Sequence, residues 1–210
     1  NNFIYIAGGS NDTHTLKNVY RAQILNPIDA PKISLTTEET GFGEGIYYYI
    51  VSVVYNNDNS VNPGGESLGS DPLPIDIPDL SDLERYFIIN VEFENAEYYR
   101  VYRTTNANDP LSSATLIGET NQTRFQDFGD NILGSEFPKT IGTLGAWHLV
   151  SQLNSRREGH VTIGAPSPQD PDTYVLYALM GKDENGNILD SYEYATIDIS
   201  DPAQPISGLF

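Results

Sequence analysis

The chain has 210 residues, of which 39% are hydrophobic and 11% aromatic, so it can bury a core in one large or two modest domains and is not an intrinsically disordered protein. It contains no cysteine, which excludes disulfide frameworks and thiolate metal sites. Its formal net charge is -18, from 29 acidic and 11 basic residues, and such a charge repels the phosphates of nucleic acids and anionic membranes.

The first predicted element is a β-hairpin with a near copy far downstream. Residues 3–24, FIYIAGGSNDTHTLKNVYRAQI, read as a strand, a glycine pair, a polar loop and a second strand, and residues 175–197, VLYALMGKDENGNILDSYEYATI, repeat this order. Aligned pairs are Leu16 with Leu189, Asn18 with Ser191, Ala22 with Ala195 and Ile24 with Ile197, and Gly9 matches Gly181 if the second loop is one residue longer. A repeated two-strand unit is typical of repeat architectures.

A different pattern occupies residues 31–138, which are bordered by prolines. Apolar and alternating runs predict six or seven short strands, with turn residues at the spacing expected of a β-sandwich. This segment holds 18 of the acidic residues and 5 of the basic ones, so it carries most of the negative charge. We expect it to fold as a domain of its own.

The hairpin pattern resumes after the segment with WHLVSQL (147–153) and RREGHV (156–161). Together with Gly8 and Gly9, these motifs resemble the kelch repeat of β-propellers over residues 1–27 and 143–200, although the second copy has Met180 in place of the first glycine of the pair. In a kelch repeat the Trp strand follows the hairpin directly, whereas here it begins only at Trp147. We therefore infer that a domain is inserted inside a blade. The strand beginning near Trp147 should hydrogen-bond to residues 19–25, with Trp147 buried against that sheet.

The inserted segment has its own resemblance. GIYYYIV (45–51), GES (65–67), AEYYRVYR (96–103), IGET (117–120) and Phe125 with Asp127 are similar to a fibronectin type III-like, immunoglobulin-like domain of the sort found in phage tail proteins and bacterial surface proteins. The similarity covers residues 31–135. It implies a β-sandwich.

The predicted fold class is therefore all-β, with partial kelch-like β-propeller blades and an inserted fibronectin type III-like β-sandwich. The predicted domains are residues 1–30, the first part of a blade; residues 31–138, the insert; and residues 139–210, the completion of that blade and the following blade. About two blades at most can be counted, and repeat folds need several units to bury their faces. We expect further chain or partner chains to complete the structure, and the start at Asn1 predicts a processed chain or a fragment.

Signals for catalysis are weak. No serine lies in a nucleophile-elbow motif, cysteine is absent, and the three histidines are His14, His148 and His160. The resemblance implies a structural role for His160, and the copper chemistry of some kelch propellers needs a cysteine. Paired carboxylates can cleave glycosides, but the sequence singles out no pair among 29 acidic residues. We therefore expect no enzyme activity.

Two polar loops are candidates for calcium. Asp183, Asn185 and Asn187, with Gly186 between them, resemble the first half of a calcium-binding loop, but the nearest downstream glutamate, Glu193, lies in the next predicted strand. Residues 56–59, NNDN, form a second oxygen-rich stretch. The alternative is that both are polar turns, since Asn, Asp and Gly dominate turns. No other cofactor is predicted.

Six tyrosines cluster in the insert: Tyr47, Tyr48, Tyr49, Tyr98, Tyr99 and Tyr102. They fit either a recognition surface or core and cross-strand packing. Because they lie on predicted strands, we interpret most of them as packing residues.

The resemblance implies a structural or binding module of a virion: a phage tail, fibre, baseplate or capsid-decoration protein that makes assembly contacts or attaches to cell-surface glycans. The alternatives are a cellular surface adhesin or extracellular filament subunit, or the accessory part of a carbohydrate-active enzyme. The expected partners are other virion or surface subunits and glycans, in a virion or at the cell surface. Nucleic-acid binding is not expected, and neither is membrane insertion, because no apolar run approaches the length of about 18 residues that a membrane span needs.

Overall fold

The computed structural model describes residues 2–38, 43–78, 86–92, 96–129 and 134–200. The strands are β1 (Asn2–Ala7), β2 (Asn18–Ile24), β3 (Lys32–Glu38), β4 (Gly45–Tyr55), β5 (Leu73–Ile77), β6 (Tyr86–Glu92), β7 (Ala96–Thr104), β8 (Thr115–Thr120), β9 (Arg124–Asp127), β10 (His148–Gln152), β11 (Val161–Pro166), β12 (Thr173–Leu179) and β13 (Tyr192–Asp198). Helical structure in these ranges is limited to a 3-10 turn, Pro27–Asp29, and a short helix α1, Pro110–Ser113. The described residues are all-β, as predicted, and none of the antiparallel sheets that they form is closed.

The chain divides into two compact units. One contains Asn1–Gln23 and Ala146–Phe210, and the other contains Ile24–Gly145. The first unit, the split unit, has two three-stranded sheets of order β1-β2-β10 and β11-β12-β13. The second, the sandwich unit, has sheets of order β3-β6-β9 and β5-β4-β7-β8.

The predicted pairing between two strands that are distant in sequence is confirmed. β10 runs antiparallel to β2, with His148 opposite Arg21 and Leu149 opposite Tyr20, and a bulge follows Leu149. An isolated two-stranded hairpin is marginal in water, so β10 supplies the third strand that the β1-β2 hairpin needs. The long excursion between them costs little, because loop-closure entropy grows only logarithmically with length.

The predicted burial of Trp147 is wrong. Its side chain is 42% exposed, and the strand begins one residue later. Neighbouring residues on an extended chain point to opposite faces. His148 points inward instead, and its Nε2 accepts a hydrogen bond from the Arg21 guanidinium at 3.1 Å.

The two copies of the repeated hairpin have the same pattern of backbone hydrogen bonds within each hairpin. Equivalent bonds run from Gly8 N to Asn18 O (2.9 Å) and from Met180 N to Ser191 O (3.0 Å), and from Leu16 N to Gly9 O (2.7 Å) and Leu189 N to Gly181 O (2.9 Å). The left-handed turn is also common to both, with φ of 60° at Gly8 and Met180 and of about 100° at Gly9 and Gly181. The residue pairs aligned in the sequence are thus equivalent in the structure.

The two sheets of the split unit pack on each other through small and branched side chains. Ala7, Val19 and Leu153 on the side of the first sheet meet Leu176, Ala178 and Ala195 of the second. All six are buried. This cluster, the intersheet core, is the hydrophobic core of the unit.

The core of the sandwich unit lies between its two sheets. Tyr49, Val51, Val53 and Val101 of the four-stranded sheet are buried, and Ile33, Leu35 and Phe125 of the three-stranded sheet pack against them. At the ends of the unit, Leu25 N donates to Thr143 O (3.1 Å) and Ile24 pairs with Leu144. The entry and exit of this unit are therefore adjacent, as an insertion requires.

Candidate interaction surfaces

One apolar surface of the split unit is the face of β11-β12-β13 that points away from the intersheet core. We call it the Tyr194 face. It comprises Val161, Ile163, Val175, Tyr177, Leu179, Tyr192 and Tyr194, which the strand register places on one side. Ile163 is 52% exposed and Tyr194 53% exposed. The Tyr177 and Tyr194 rings lie 6.1 Å apart, as a tilted pair.

A second apolar surface lies on the β1-β2-β10 sheet, on the side that points away from the intersheet core. We call it the Leu149 face: Ile4, Ile6, Tyr20 and Leu149. Tyr5, Ala7 and Val19 point into the intersheet core, so their alternating neighbours point outward. Ile6 is 51% exposed and Leu149 52% exposed.

The apolar side chains named for each face are uncharged, although the chain carries a net charge of -18. On the side of Tyr194 the register adds Thr196 and, at the far end of β13, the carboxylate of Asp198. Contiguous exposed apolar patches on a protein surface mark sites of interaction with proteins, membranes or ligands. In β12 the run Val175 to Leu179 is apolar at every position, a pattern typical of strands that are buried on both faces. Among the described residues of the unit, only one of those faces is buried.

A buried ion pair holds the end of the β12-β13 hairpin. The Arg157 guanidinium donates to Glu193 Oε1 at 2.8 and 3.0 Å, and to the carbonyl oxygens of Met180 and Ser191. Glu193 also accepts from the backbone N–H of Asn154. Burial raises the pKa of the Glu193 carboxyl, but the hydrogen bonds from Arg157 and the backbone outweigh it, so the pKa lies below its ordinary value. The pair fixes the chain between β10 and β11.

The sandwich unit has a buried carboxylate of its own at Glu66. Its oxygens accept from Ser52 Oγ (2.5 Å), Tyr102 OH (2.6 Å) and Arg100 Nη1 (3.1 Å). Burial, followed by the proximity of Glu66, raises the pKa of Tyr102. With all these donors in place, Glu66 is a structural anchor for the loop between β4 and β5.

A third buried carboxylate, Asp127, links the two sheets of the sandwich. It accepts from Tyr49 OH at 2.8 Å and from Arg103 Nη1 at 2.6 Å. Burial and the Asp127 charge raise the pKa of Tyr49. The sequence did not show which arginine each of these three carboxylates contacts, because the arginine partners lie 24 to 36 positions away along the chain.

The three histidines lie apart from one another: His148 and His160 are half-buried, and His14 is exposed. His160 lies against the repeated turns: a Cβ on Gly8 would approach its Cε1 to 2.8 Å, and one on Gly181 would approach its Cβ to 2.9 Å. Burial lowers the pKa of both His160 and His148. His14 lies on an exposed turn, where its backbone N–H donates to Asn11. The described residues contain no cluster of three histidine or acidic side chains suited to a metal ion.

The loop proposed for calcium is a closed turn. Asp183 Oδ1 accepts from the backbone N–H of Asn185 and Asn187 at 2.8 Å each, and its Oδ2 accepts from Asn187 Nδ2 at 2.9 Å. The hydrogen bonds from Asn187 and Asn185 lower the pKa of Asp183. These contacts satisfy Asp183 as a turn residue, and calcium binding at this loop stays a prediction. The stretch 56–59 is also a turn, in which Asn59 Oδ1 accepts from the N–H of Val61 and Asn62.

The interpretation of the tyrosine cluster as packing residues is confirmed for Tyr49, Tyr99 and Tyr102, which are buried. Tyr47 packs against the same core from a half-buried position. Tyr98 lies under the Arg100 guanidinium, 5.9 Å from the ring centroid. These rings stabilise the sandwich and do not form an open recognition surface.

No protein-family model matches the chain, and no curated protein is significantly similar to it. Among the described residues, no helix is long and apolar enough to span a bilayer. The function must therefore be argued from the surfaces themselves. The sequence predicted strands at both apolar faces but not which face of each strand the fold leaves open.

Proposed function

We propose that the chain is a non-enzymatic structural and binding module of a virion, of the kind used in phage tails, fibres, baseplates or capsid decorations. The observation that carries this proposal is the exposure of two apolar sheet faces, the Tyr194 face and the Leu149 face, on opposite sides of one unit. Removing their apolar side chains from water lowers the free energy of the system, so the unit is suited to packing against other subunits.

The proposal includes the architecture of both units. The split unit consists of partial kelch-like β-propeller blades, supported by the repeated hairpin and by the β2-β10 pairing. The sandwich unit is a fibronectin type III-like domain, supported by its three-stranded and four-stranded sheets. In this arrangement the chain of the sandwich unit is inserted between two strands of one blade.

The absence of catalysis is also part of the proposal. The buried carboxylates Glu66, Asp127 and Glu193 are each held by an arginine and by further hydrogen bonds, so each has a structural reason to be present. A screen of the full chain against glycans, esters and peptides should detect no turnover. A rate that is lost in a His160→Ala variant, with the fold intact, would contradict this part.

The test of the virion role is the location of the protein. Density-gradient-purified virions should contain the chain in a fixed ratio to the other structural proteins, whereas washed host-cell envelopes should not. Recovery only from envelopes would favour the surface adhesin or filament subunit. Recovery only with a secreted carbohydrate-active enzyme would favour the accessory role.

Attachment to cell-surface glycans is a second candidate, favoured by the exposure of Trp147. An aromatic side chain with one apolar face and one polar group is suited to wet binding surfaces. Because Trp147 is the single tryptophan, its fluorescence reports on this position alone. A saturable fluorescence change on titration with purified host glycans would support attachment, and an unchanged spectrum would contradict glycan contact at Trp147.

A further inference from the structure

The two exposed apolar faces are equivalent, residue by residue, to the two faces that already pack together inside the unit. The matched hydrogen bonds of the repeated hairpins set this correspondence. Tyr5, Ala7 and Val19, which point into the intersheet core, correspond to Tyr177, Leu179 and Tyr192 of the Tyr194 face. Leu176 and Ala178, which point into the core from the other side, correspond to Ile4 and Ile6 of the Leu149 face.

The intersheet core therefore pairs one face type with the other. The first sheet contributes the side that carries Ala7 and Val19, and the second contributes the side that carries Leu176 and Ala178. The exposed Tyr194 face of the second sheet is equivalent in position to the face that the first sheet buries. The exposed Leu149 face of the first sheet is equivalent to the face that the second sheet buries.

We infer that the Tyr194 face of one copy of this chain docks on the Leu149 face of a second copy, continuing between copies the sheet packing seen within the unit. The expected contact places Leu179 and Tyr192 of one copy against Ile4 and Ile6 of the next. Because the two faces differ, the contact is heterologous, and it propagates into a ring or an open filament. This inference rests on the proposed assembly role and names the partner.

Three observations favour a second copy of the chain over an unrelated protein. The equivalent contact between sheets already exists once inside the unit, so the backbone geometry permits two such faces to pack, although larger side chains, Leu179 and Tyr192, stand where the internal contact has Ala7 and Val19. The side chains of the expected contact are uncharged, and Asp198 lies at the opposite end of β13 from Tyr192, so two copies with a net charge of -18 each meet where few like charges face each other. Terminal repeats of stacked architectures are normally capped by a polar outer face, and both faces here are apolar.

The test uses the full chain and two substitutions at exposed positions. Tyr194→Asp places a charge on the Tyr194 face, and Ile6→Asp places one on the Leu149 face. Ile188→Asp, at an exposed loop position on neither face, is the matched control. Because all three positions are exposed, the fold should be retained, and this is checked by circular dichroism and thermal unfolding.

Sedimentation velocity over a wide concentration range should show the unsubstituted chain and Ile188→Asp in species heavier than a dimer at high concentration. Each face variant alone should sediment as a monomer, because every contact needs both faces. An equimolar mixture of Tyr194→Asp and Ile6→Asp should form a dimer and nothing larger, since one intact face of each kind remains.

A wild-type monomer at every concentration would overturn the inference, and so would a dimer formed by Ile6→Asp alone. These outcomes are separate from the virion test. A chain that is present in purified virions but monomeric in isolation would retain the proposed function and refute the self-association. A chain that self-associates but is absent from virions would do the reverse.

Discussion

Three buried carboxylates illustrate at the residue scale how this acidic chain tolerates charge in its interior. Glu66, Asp127 and Glu193 are each within 3.1 Å of an arginine nitrogen. The desolvation of a buried ion pair offsets much of its attraction, but removal of one partner leaves an uncompensated charge. The pairs therefore specify the positions of their loops more than they add net stability.

Arg157→Met tests the pair in the split unit. It should lower the free energy of unfolding by about 3–5 kcal/mol, because Glu193 stays buried without its guanidinium. Urea denaturation followed by circular dichroism measures the change. Arg156→Met is the matched control, because Arg156 and its partner Glu184 are both exposed, and it should cost about 1 kcal/mol or less. Equal losses for the two variants would contradict the role assigned to Arg157.

The tyrosines of the sandwich predict an alkaline limit to stability. Burial raises the pKa of Tyr49 and Tyr102 and raises that of Tyr55 to about 12. A group whose pKa is higher in the folded state stabilises the fold below its unfolded pKa and loses that contribution as the pH rises. The sandwich unit should therefore lose stability as the pH passes 10.0, the ordinary value for tyrosine. Thermal unfolding of Tyr49→Phe should show a shallower alkaline decline, and an unchanged pH profile would refute this cause.

The left-handed turn at Met180 predicts a stabilising substitution. Met180 has a φ of 60° and is mostly exposed. A left-handed backbone conformation costs a non-glycine residue about 1–2 kcal/mol, which a glycine would not incur. The greater conformational entropy of glycine in the unfolded chain offsets about half of that gain in stability. Met180→Gly should raise the free energy of unfolding by roughly 0.5–1 kcal/mol.

The equivalent turn of the first hairpin provides the opposite control. Gly8→Ala should destabilise the chain, because its Cβ would lie 2.8 Å from His160 Cε1 and 3.0 Å from the Arg157 carbonyl oxygen. Chemical denaturation of Gly8→Ala and of Met180→Gly measures the change in the free energy of unfolding that each substitution causes. Stabilisation by Gly8→Ala, or destabilisation by Met180→Gly, would contradict the equivalence of the two turns.

At the scale of elements, the pairing of β2 with β10 could be predicted from two arguments: a lone two-stranded hairpin is marginal in water, and the strand order of the resembled repeat puts the Trp strand beside it. The orientation of Trp147 could not be predicted, since it depends on where β10 begins and on a bulge after Leu149 that has no sequence signal. The buried ion pairs also depend on contacts between distant residues. The polar loop at Asp183 was visible in the sequence, but not the hydrogen bonds that close it.

The sandwich unit should fold when it is excised. A fragment of residues 24–145 keeps both sheets and the contact between Leu25 and Thr143. It should unfold cooperatively in urea, and a shorter fragment of residues 31–138, which lacks that contact and the Leu68–Lys139 bridge, should be less stable. Loss of strand signal by the longer fragment would show that its core is shared with the other unit.

At the scale of the whole molecule, the chain combines a strongly acidic surface with two apolar faces that its own fold leaves open. Under the proposed self-association, the acidic surface would keep chains apart except where the Tyr194 face of one copy meets the Leu149 face of another. Head-to-tail docking of these two faces is the central claim to test.

Site-specific cross-linking tests that claim most directly, because the chain has no cysteine of its own. Tyr192→Cys and Ile6→Cys place one thiol on each apolar face. A short bismaleimide should link the two variants when they are mixed, giving a covalent dimer that contains one of each, and should link neither variant to itself. An absence of cross-linked product in the mixture, or efficient dimers from either variant alone, would contradict head-to-tail docking of the two faces.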